Sequence, residues 1–226
     1  MRILTFDTSL NNTYLTYGEN DNIILSKIIH SDNEKYHSAY LIPEIISILQ
    51  LQNITMQDID VIGINEGPGS FTGIRICTVI ARVAAQQTGI KVVSVPSLEI
   101  LSKINSTDKK TLVLLDARKN KIYSAIYGTD GNVIQPPNSV SNEQVKEIVD
   151  NQTYEIITDS SIYKLLKEQN INSINYEKKE YPLGQFLYEI TLKKILTNPK
   201  EDYHWAKVKP LYIQPPSITL PKKVGI

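Results

Sequence analysis

Sulfur is scarce in this sequence. Cys77 is the single cysteine among 226 residues, so no disulfide can form within the chain, and this usage is typical of a reducing compartment. Because Cys77 lies in an apolar stretch with helical spacing, we expect it to be a small buried helix residue and not a reactive thiol.

Long apolar runs are absent as well. Residues 1–7 read as the start of a strand that soon reaches the charged residue Asp7, not as the apolar core of a signal peptide. No run approaches the roughly 20 residues that cross a bilayer. We therefore expect a cytoplasmic protein with no membrane segment.

Surplus charge of either sign is also missing, since 24 Lys and Arg balance 24 Asp and Glu. Nothing in this composition steers the chain toward RNA or an anionic membrane. The chain has three histidines, and His37 is followed four residues later by Leu41. One imidazole without a second ligand four residues later makes a poor metal site, so we predict no metal site.

What the sequence does contain is a pattern that occurs twice. Residues 3–6 predict a buried strand that ends at Asp7, followed by a hairpin strand at 13–17 and a third strand at 23–29. Residues 112–116 and 121–128 repeat the first two of these steps, and Asp116 takes the place of Asp7.

Two such halves predict an α/β protein of two related actin-like (ASKHA, ribonuclease H-like) domains with mixed sheets flanked by helices. We place the N-terminal domain at residues 1–106 and the C-terminal domain, with an irregular tail, at 107–226. Apolar spacing predicts helices over the following ranges: 38–51, 72–87, 98–103, 142–150, 162–168 and 182–196.

A glycine-rich loop opens directly onto the second predicted helix. Gly67 and Gly69 permit the positive backbone angles of a tight turn, and Ser70 is placed to cap the helix. Unpaired amides at a helix start also suit a phosphate. Two interpretations stay open, a strand-to-helix turn or an anion site.

Three blocks of residues together resemble one family, the TsaB (YeaZ) family of bacterial tRNA modification. They are Asp7-Thr8-Ser9, then Gly67-Pro68-Gly69-Ser70-Phe71-Thr72-Gly73-Ile74-Arg75, then Asp116-Ala117-Arg118 followed by Ile122-Tyr123. A fourth and shorter block is Lys209-Pro210-Leu211-Tyr212-Ile213.

The resemblance implies a non-catalytic subunit that works with a TsaD-like catalytic subunit and a TsaE-like ATPase. That complex transfers threonylcarbamoyl from its adenylate to the adenosine 3′ of the anticodon in tRNAs reading codons that begin with A. It further implies no catalytic residue and no cofactor in this chain, contact with tRNA only through the complex, and room for a nucleotide shared at a subunit interface.

Seven residues stand where kinases of this fold bind nucleotide, and we interpret them as remnants of such a site. Ser9 occupies the place of a phosphate-loop glycine, and Arg118 is expected to neutralise Asp116 or reach across the cleft. Asp7 either holds a hydrated Mg²⁺ or accepts hydrogen bonds from its own turn. The remnants are Asp7, Thr8, Ser9, Gly67, Gly69, Ser70 and Asp116.

The helices predicted at 38–51 and 72–87 are apolar around more of their circumference than one core contact requires. One explanation is that both are enclosed within the chain. The other, which the resemblance favours, is a surface for a partner of the same fold, or for a second copy when the chain is alone. The interface residues predicted are Tyr40, Leu41, Ile45, Ile48, Arg75, Ile76, Val79, Ile80 and Val83.

Two alternative functions follow from the same fold class. One is an ATP-dependent small-molecule kinase of the sugar-kinase class, and Ser9 in the phosphate loop counts against it. The other is an inactive homologue of the M22 metallopeptidases, against which the missing second histidine counts.

Overall fold

The computed structural model describes residues 1–30, 37–151 and 153–214. Its first sheet contains five strands in the order β3-β2-β1-β4-β5. Strands β1, β2 and β3 are antiparallel, whereas β4 and β5 are parallel to β1. The strands are β1 (Arg2–Asp7), β2 (Thr13–Glu19), β3 (Asn22–Ile29), β4 (Val61–Gly67) and β5 (Lys91–Pro96).

The second sheet has the same arrangement, with the order β8-β7-β6-β9-β10 and the same strand directions. Its first strand ends at Asp116, as β1 ends at Asp7. The predicted duplication and the actin-like fold class are thus confirmed. The strands are β6 (Lys110–Asp116), β7 (Lys121–Tyr127), β8 (Val133–Ser141), β9 (Tyr154–Thr158) and β10 (Ile174–Asn175).

Six α-helices cover the two sheets. They are α1 (His37–Leu51), α2 (Phe71–Thr88), α3 (Ser97–Ser102), α4 (Asn142–Asn151), α5 (Ser160–Glu168) and α6 (Leu183–Thr197). Helices α1 and α2 cover the outer face of the first sheet, α4 and α5 the outer face of the second, and α3 and α6 share one central core with the inner faces. No helix of the described ranges is long and apolar enough to span a bilayer.

The alternation of side chains along β1 shows why the first sheet is apolar on both faces. Leu4 and Phe6 point outward into the core with α1 and α2, while Ile3 points inward toward α6. Strands that are buried on both faces read as continuous apolar runs. Asp7 ends this run opposite Tyr14 of β2.

Helix α6 packs mainly on the first sheet, although it follows the second sheet in sequence. At Gly63 of β4, an added Cβ would collide with Thr191 of α6, so the helix lies directly against that strand. Helix α3 contacts both sheets. The division into 1–106 and 107–226 stays a prediction, and chain order does not decide which sheet a helix covers.

The predicted helix boundaries agree with the structure to within two residues, including the pair at 98–103 and α3. Strand β8 holds two successive prolines, Pro136 and Pro137. Because β8 is an edge strand, the missing N–H groups cost no ladder bond to a further strand.

Candidate functional site

Asp7 lies at the end of β1 and is buried. One of its oxygens accepts bonds from the backbone N–H of Ser9 at 2.7 Å and from the Ser9 hydroxyl at 2.6 Å. The other accepts a bond from the side-chain amide of Asn65 at 2.9 Å. A buried carboxylate needs such donors, and these contacts support the interpretation of Asp7 as an acceptor within its own turn.

Asn65 is the centre of this network, and sequence reasoning did not single it out. Its carbonyl oxygen accepts bonds from the Gly67 backbone N–H at 2.8 Å and from the Ser97 hydroxyl at 2.7 Å. The network thus joins the ends of β1 and β4 to the start of α3. The available signal was a lone amide at the end of the apolar run 61–64, where an unpaired polar group would be costly.

The glycine-rich loop packs directly on the turn after β1. The backbone N–H of Ser70 donates to the Ser9 carbonyl at 2.8 Å, and an added Cβ on Gly69 would lie 2.5 Å from that same oxygen. Gly67 has a φ of 101°, as predicted, but Gly69 is not among the residues with positive φ. Gly69 is therefore required for the close approach of two loops, and the prediction of a left-handed angle there was wrong.

The start of α2 makes two hydrogen bonds with side chains of the two loops. The Ser70 hydroxyl caps the helix by accepting from the Gly73 backbone N–H at 3.3 Å, and the Thr8 hydroxyl donates to the Gly73 carbonyl at 3.0 Å. Cys77 is fully buried beside Thr8, and burial raises the pKa of its thiol to about 12. The expectation of a small buried cysteine is confirmed.

The C-terminal segment closes over the same loop. The backbone N–H of Leu211 donates to the Glu66 carbonyl at 2.8 Å. Tyr212 stacks against Phe71 with a ring separation of 5.2 Å, and its hydroxyl accepts from the Arg75 guanidinium at 3.0 Å. Two of the sequence blocks thus meet at the start of α2.

A cleft of about 460 Å³ opens between the glycine-rich loop and the ends of β6 and α5. Four of the seven predicted remnants line it, namely Ser9, Gly69, Ser70 and Asp116. Asp7, Thr8 and Gly67 do not line it. Two tyrosines, Tyr123 and Tyr176, also line the cleft, and sequence reasoning gave Tyr176 no role.

Carboxylates dominate the second-sheet side of this cleft. Asp116 is exposed and accepts from the backbone N–H of Arg118 at 2.8 Å, so the contact that the sequence assigned to the Arg118 guanidinium is made by its main chain. Asp159 accepts from the backbone N–H groups of Asp116 at 2.6 Å and Ile162 at 2.8 Å, and thereby caps α5. Burial raises the pKa of Asp159, although these two bonds oppose the shift.

The turn that carries Arg118 is unusual. Arg118, Lys119 and Asn120 all have left-handed backbones, with φ of 60°, 51° and 58°. Such angles are uncommon outside glycine and asparagine. The tight turn holds the Arg118 side chain at the rim of the cleft, where it is exposed.

The predicted interface residues of α1 and α2 fit neither interpretation as a whole. Leu41, Ile45 and Ile48 are at most 3 % exposed and pack in the core between α1 and the first sheet. Their prediction as partner contacts is corrected, because helical spacing places them on the side of α1 that faces the sheet.

Other residues of the predicted interface do reach the surface. Val79 is 58 % exposed, Val83 is 54 % exposed and Tyr40 is 53 % exposed. Arg75 is exposed, whereas Ile76 and Ile80 are half-buried at the edge of the core. Four exposed apolar side chains on the same two helices were not among the predicted interface residues, and they are Ile42, Ile46, Leu51 and Phe71.

The sequence of this chain is similar to those of known tRNA-modification proteins. The family model for TsaD, tRNA N6-adenosine threonylcarbamoyltransferase, matches residues 23–191. TsaB of Bacillus subtilis strain 168 is 32% identical over 129 residues, which are 56% of this chain and 55% of that protein. TsaB of Buchnera aphidicola from Schizaphis graminum is 29% identical over 131 residues, 55% of this chain and 60% of its own length. The chain belongs to the TsaB (YeaZ) family.

The TsaD model matches this TsaB-family chain because the two families share a related fold. The chain spans a little over half the length of the curated TsaB relatives that it matches. YeaZ from Pseudomonas aeruginosa superimposes with a TM-score of 0.73 at 18% identity, over 93% of this chain and 99% of that one. A second solved structure, a protein with similarity to peptidase YeaZ, gives a TM-score of 0.77, also at 18% identity, over 94% and 99%. At this identity these matches show the fold alone.

A metal site in this TsaB-family chain would require several donor side chains that converge on one point. Within residues 1–30, 37–151 and 153–214, no three His, Cys, Asp or Glu side chains converge as metal ligands would. His37 is the first residue of α1, and its side chain lies outside the described part of the structure.

Proposed function

We propose that this TsaB-family chain is a non-catalytic subunit in the biosynthesis of threonylcarbamoyladenosine in tRNA. In this proposal it binds a TsaD-like catalytic subunit and acts with a TsaE-like ATPase. The complex transfers threonylcarbamoyl from threonylcarbamoyl-AMP to the adenosine 3′ of the anticodon in tRNAs that read codons beginning with A. The names of the TsaB relatives support the pathway.

The exposed apolar surface of α1 and α2 is the observation that carries the proposal. Large apolar side chains that are about half exposed stand on both helices, and the two helices contact each other. A contiguous exposed apolar surface of several hundred Å² usually marks an interaction site. We call this surface the outer helix face, and it consists of Tyr40, Ile42, Ile46, Phe71, Val79 and Val83.

A polar edge completes the outer helix face. The Arg75 guanidinium lies 3.8 Å from the centre of the Phe71 ring and also donates to Tyr212. Arginine and aromatic residues are enriched where protein interfaces bind most strongly. The face therefore combines an apolar centre with an anchored cation, which suits a protein partner better than a lipid surface.

The absence of catalysis in this chain is supported by the Asp7 network. Asp7 is the residue that could hold a hydrated Mg²⁺, but here it accepts bonds from Ser9 and Asn65. We propose that the chain has no cofactor of its own, that a nucleotide can be shared at the boundary with its partner, and that tRNA binds through the complex. A self-associated form of the isolated chain would use the same outer helix face.

The test uses Val83→Arg, with Val133→Arg on β8 as its control. Val83 of α2 and Val133 of β8 are 54 % and 53 % exposed, so the two variants add the same charge at nearly equal exposure in different parts of the structure. We expect Val83→Arg to remain folded and to lose co-purification with the TsaD-type subunit of the same organism, and transfer in the reconstituted complex to fall with it. We expect Val133→Arg to retain both the co-purification and the transfer. Equal binding by the two variants would exclude the outer helix face as the interface.

A further inference from the structure

Each of the two arginines of α2 contacts an aromatic side chain that follows α6 in the chain. The Arg75 guanidinium lies 3.8 Å from the centre of the Phe71 ring, and its Nε donates to the Tyr212 hydroxyl at 3.0 Å. Two helical turns further along α2, the Arg82 guanidinium lies 5.6 Å from the centre of the Trp205 ring. The C-terminal residues thus orient two cationic side chains that would otherwise be flexible.

Arg75 is the more exposed of the two arginines, and most of its hydrogen-bonding capacity is unused. The Phe71 ring covers one flat face of the guanidinium, and Tyr212 takes the Nε–H. The two terminal nitrogens make no hydrogen bond or ion pair with any residue in the described ranges. Together they form a planar fork whose geometry matches the two oxygens of a carboxylate.

The charges on the two helices of the outer helix face favour an acidic partner. Helix α2 carries two arginines and has no acidic residue in its sequence. The one acidic residue of α1 is Glu44, and its carboxylate pairs with the Lys27 ammonium at 2.8 Å. A complementary surface would therefore present a carboxylate where it meets α2.

The surroundings of Arg75 favour a protein carboxylate over the phosphates of a nucleic acid. Val79 and Val83 follow Arg75 at helical spacing and are each more than half exposed, while Phe71 and Tyr212 add two rings that are nearly half exposed. A nucleic-acid backbone is bound by several cations along its path. An arginine set among exposed apolar and aromatic side chains is instead typical of the strongest contacts between proteins.

We propose that Arg75 forms a bidentate ion pair with an aspartate or glutamate of the TsaD-type subunit, and that Tyr212 is a positioning residue for this pair. The inference rests on the proposed function, because it names the chemistry of the same interface. Tyr212 holds Nε and with it the plane of the guanidinium, so part of the entropy of ordering this side chain is lost on folding and not on binding.

The experiment measures the Kd of the full chain for the purified TsaD-type subunit of the same organism, by isothermal titration without tRNA. We expect Arg75→Gln to bind at least tenfold more weakly, because a charge-assisted pair is lost. Arg75→Lys keeps the charge without the fork and should recover only part of that loss. The matched control is Lys167→Gln, which removes one positive charge from an exposed position of α5 and should keep the affinity.

Tyr212→Phe tests the positioning role, because it removes the hydroxyl and keeps the ring. We expect binding to weaken about 3- to 10-fold, the range that one hydrogen bond corresponds to. In the Arg75→Gln background the same change should weaken binding no further, since Tyr212 acts through Arg75. Tyr163→Phe on α5 is the control for the loss of a tyrosine hydroxyl and should keep the affinity.

Unchanged affinity in Arg75→Gln would overturn the proposal, and losses that add fully in the double variant would overturn the role of Tyr212. If Arg75→Gln keeps its affinity for the subunit but weakens binding of tRNA by the assembled complex, Arg75 binds a phosphate and the proposal is wrong. Val83→Arg separates these results from a failure of the proposed function. Loss of binding in Val83→Arg alone leaves the outer helix face as the interface and removes only the ion pair, whereas normal binding in both variants removes the interface as well.

Circular dichroism and the melting temperature check that each variant is folded. Arg75 and Tyr212 are exposed, so we expect each single change at these positions to leave the fold intact. A fall in affinity that follows a fall in the folded fraction would assign Tyr212 a purely structural role and overturn its role in positioning Arg75.

Discussion

Asn65 donates its side-chain amide to the Asp7 carboxylate over 2.9 Å, and this bond ties the end of β4 to the end of β1. The partner of this carboxylate oxygen is a protein amide, and the carbonyl oxygen of the same amide group accepts bonds from Gly67 and Ser97.

Replacing Asn65 tests how much this network contributes to stability. Asn65→Ala leaves an Asp7 oxygen, the Gly67 N–H and the Ser97 hydroxyl without their bonds, and we expect the free energy of unfolding to fall by about 2–4 kcal/mol. Asn132→Ala, which removes an exposed turn amide bonded to Asp130, is the control and should cost less than about 1 kcal/mol. Urea denaturation measures both, and equal losses would contradict the network.

Gly69→Ala tests the contact between the two loops. The new Cβ would lie 2.5 Å from the Ser9 carbonyl and must separate the loops, so we expect a loss of about 1–3 kcal/mol. Ser70→Ala removes the helix cap alone and should cost about 1 kcal/mol.

Transfer rates in the reconstituted complex then separate structure from function for both loop variants. If the loop only shapes the chain, activity follows the folded fraction in Gly69→Ala and in Ser70→Ala alike. Activity that drops in Ser70→Ala while its melting temperature holds would assign Ser70 a role beyond the cap.

Thr78 offers a stabilising change. Its hydroxyl is buried on α2 without a partner among the described residues. Thr78→Val keeps the shape and removes the unpaired hydroxyl, so we expect a gain of about 1 kcal/mol by thermal denaturation. Thr191→Val is the comparison, because the Thr191 hydroxyl donates to the Leu187 carbonyl at 2.7 Å. We expect no gain in stability from that variant. A lower melting temperature for Thr78→Val would show that its hydroxyl has a partner, such as a water.

Glu66 makes stability depend on pH. Burial raises the pKa of its carboxyl above the ordinary value of 4.5, and nearby Glu99 adds to the shift while Lys194 and Lys209 oppose it. The folded state therefore holds the proton more tightly than the unfolded state. The stability this supplies is full below pH 4.5 and is lost as the pH rises through the raised pKa.

Glu66→Gln should remove that decline, so that the variant gains stability relative to the unaltered chain as the pH rises across this window. Melting temperatures at a series of pH values measure the difference. Glu168→Gln controls for the loss of a carboxylate. Parallel curves for the unaltered chain and Glu66→Gln would mean that the Glu66 carboxyl is not affected by burial.

The fold was predictable because its signals are local and repeated. Strands β1 and β6 each end at an aspartate. The helical spacing of apolar residues predicted the bounds of α1 and α2 to within one residue. The site was less predictable because its contacts join distant segments. Asn65 meets Ser97, and Tyr212 meets Arg75 across 137 positions of the chain.

The outer helix face also shows what the sequence pattern could not predict. Apolar periodicity identifies a stripe on α1 but does not say whether it faces the sheet or a partner, so Leu41, Ile45 and Ile48 were assigned to the wrong side. On α2, the C-terminal residues Trp205 and Val208 pack beside Arg82, whose guanidinium lies 5.6 Å from the Trp205 ring.

Helix α6 has a consequence for the order in which this chain can fold. The first sheet is synthesised early, but most of its inner face stays uncovered until residues 183–197 leave the ribosome and dock on it. Native contacts of such high sequence separation slow folding, and the apolar inner face is exposed to aggregation during that interval. We therefore expect the N-terminal half to reach its native state only after α6 has docked.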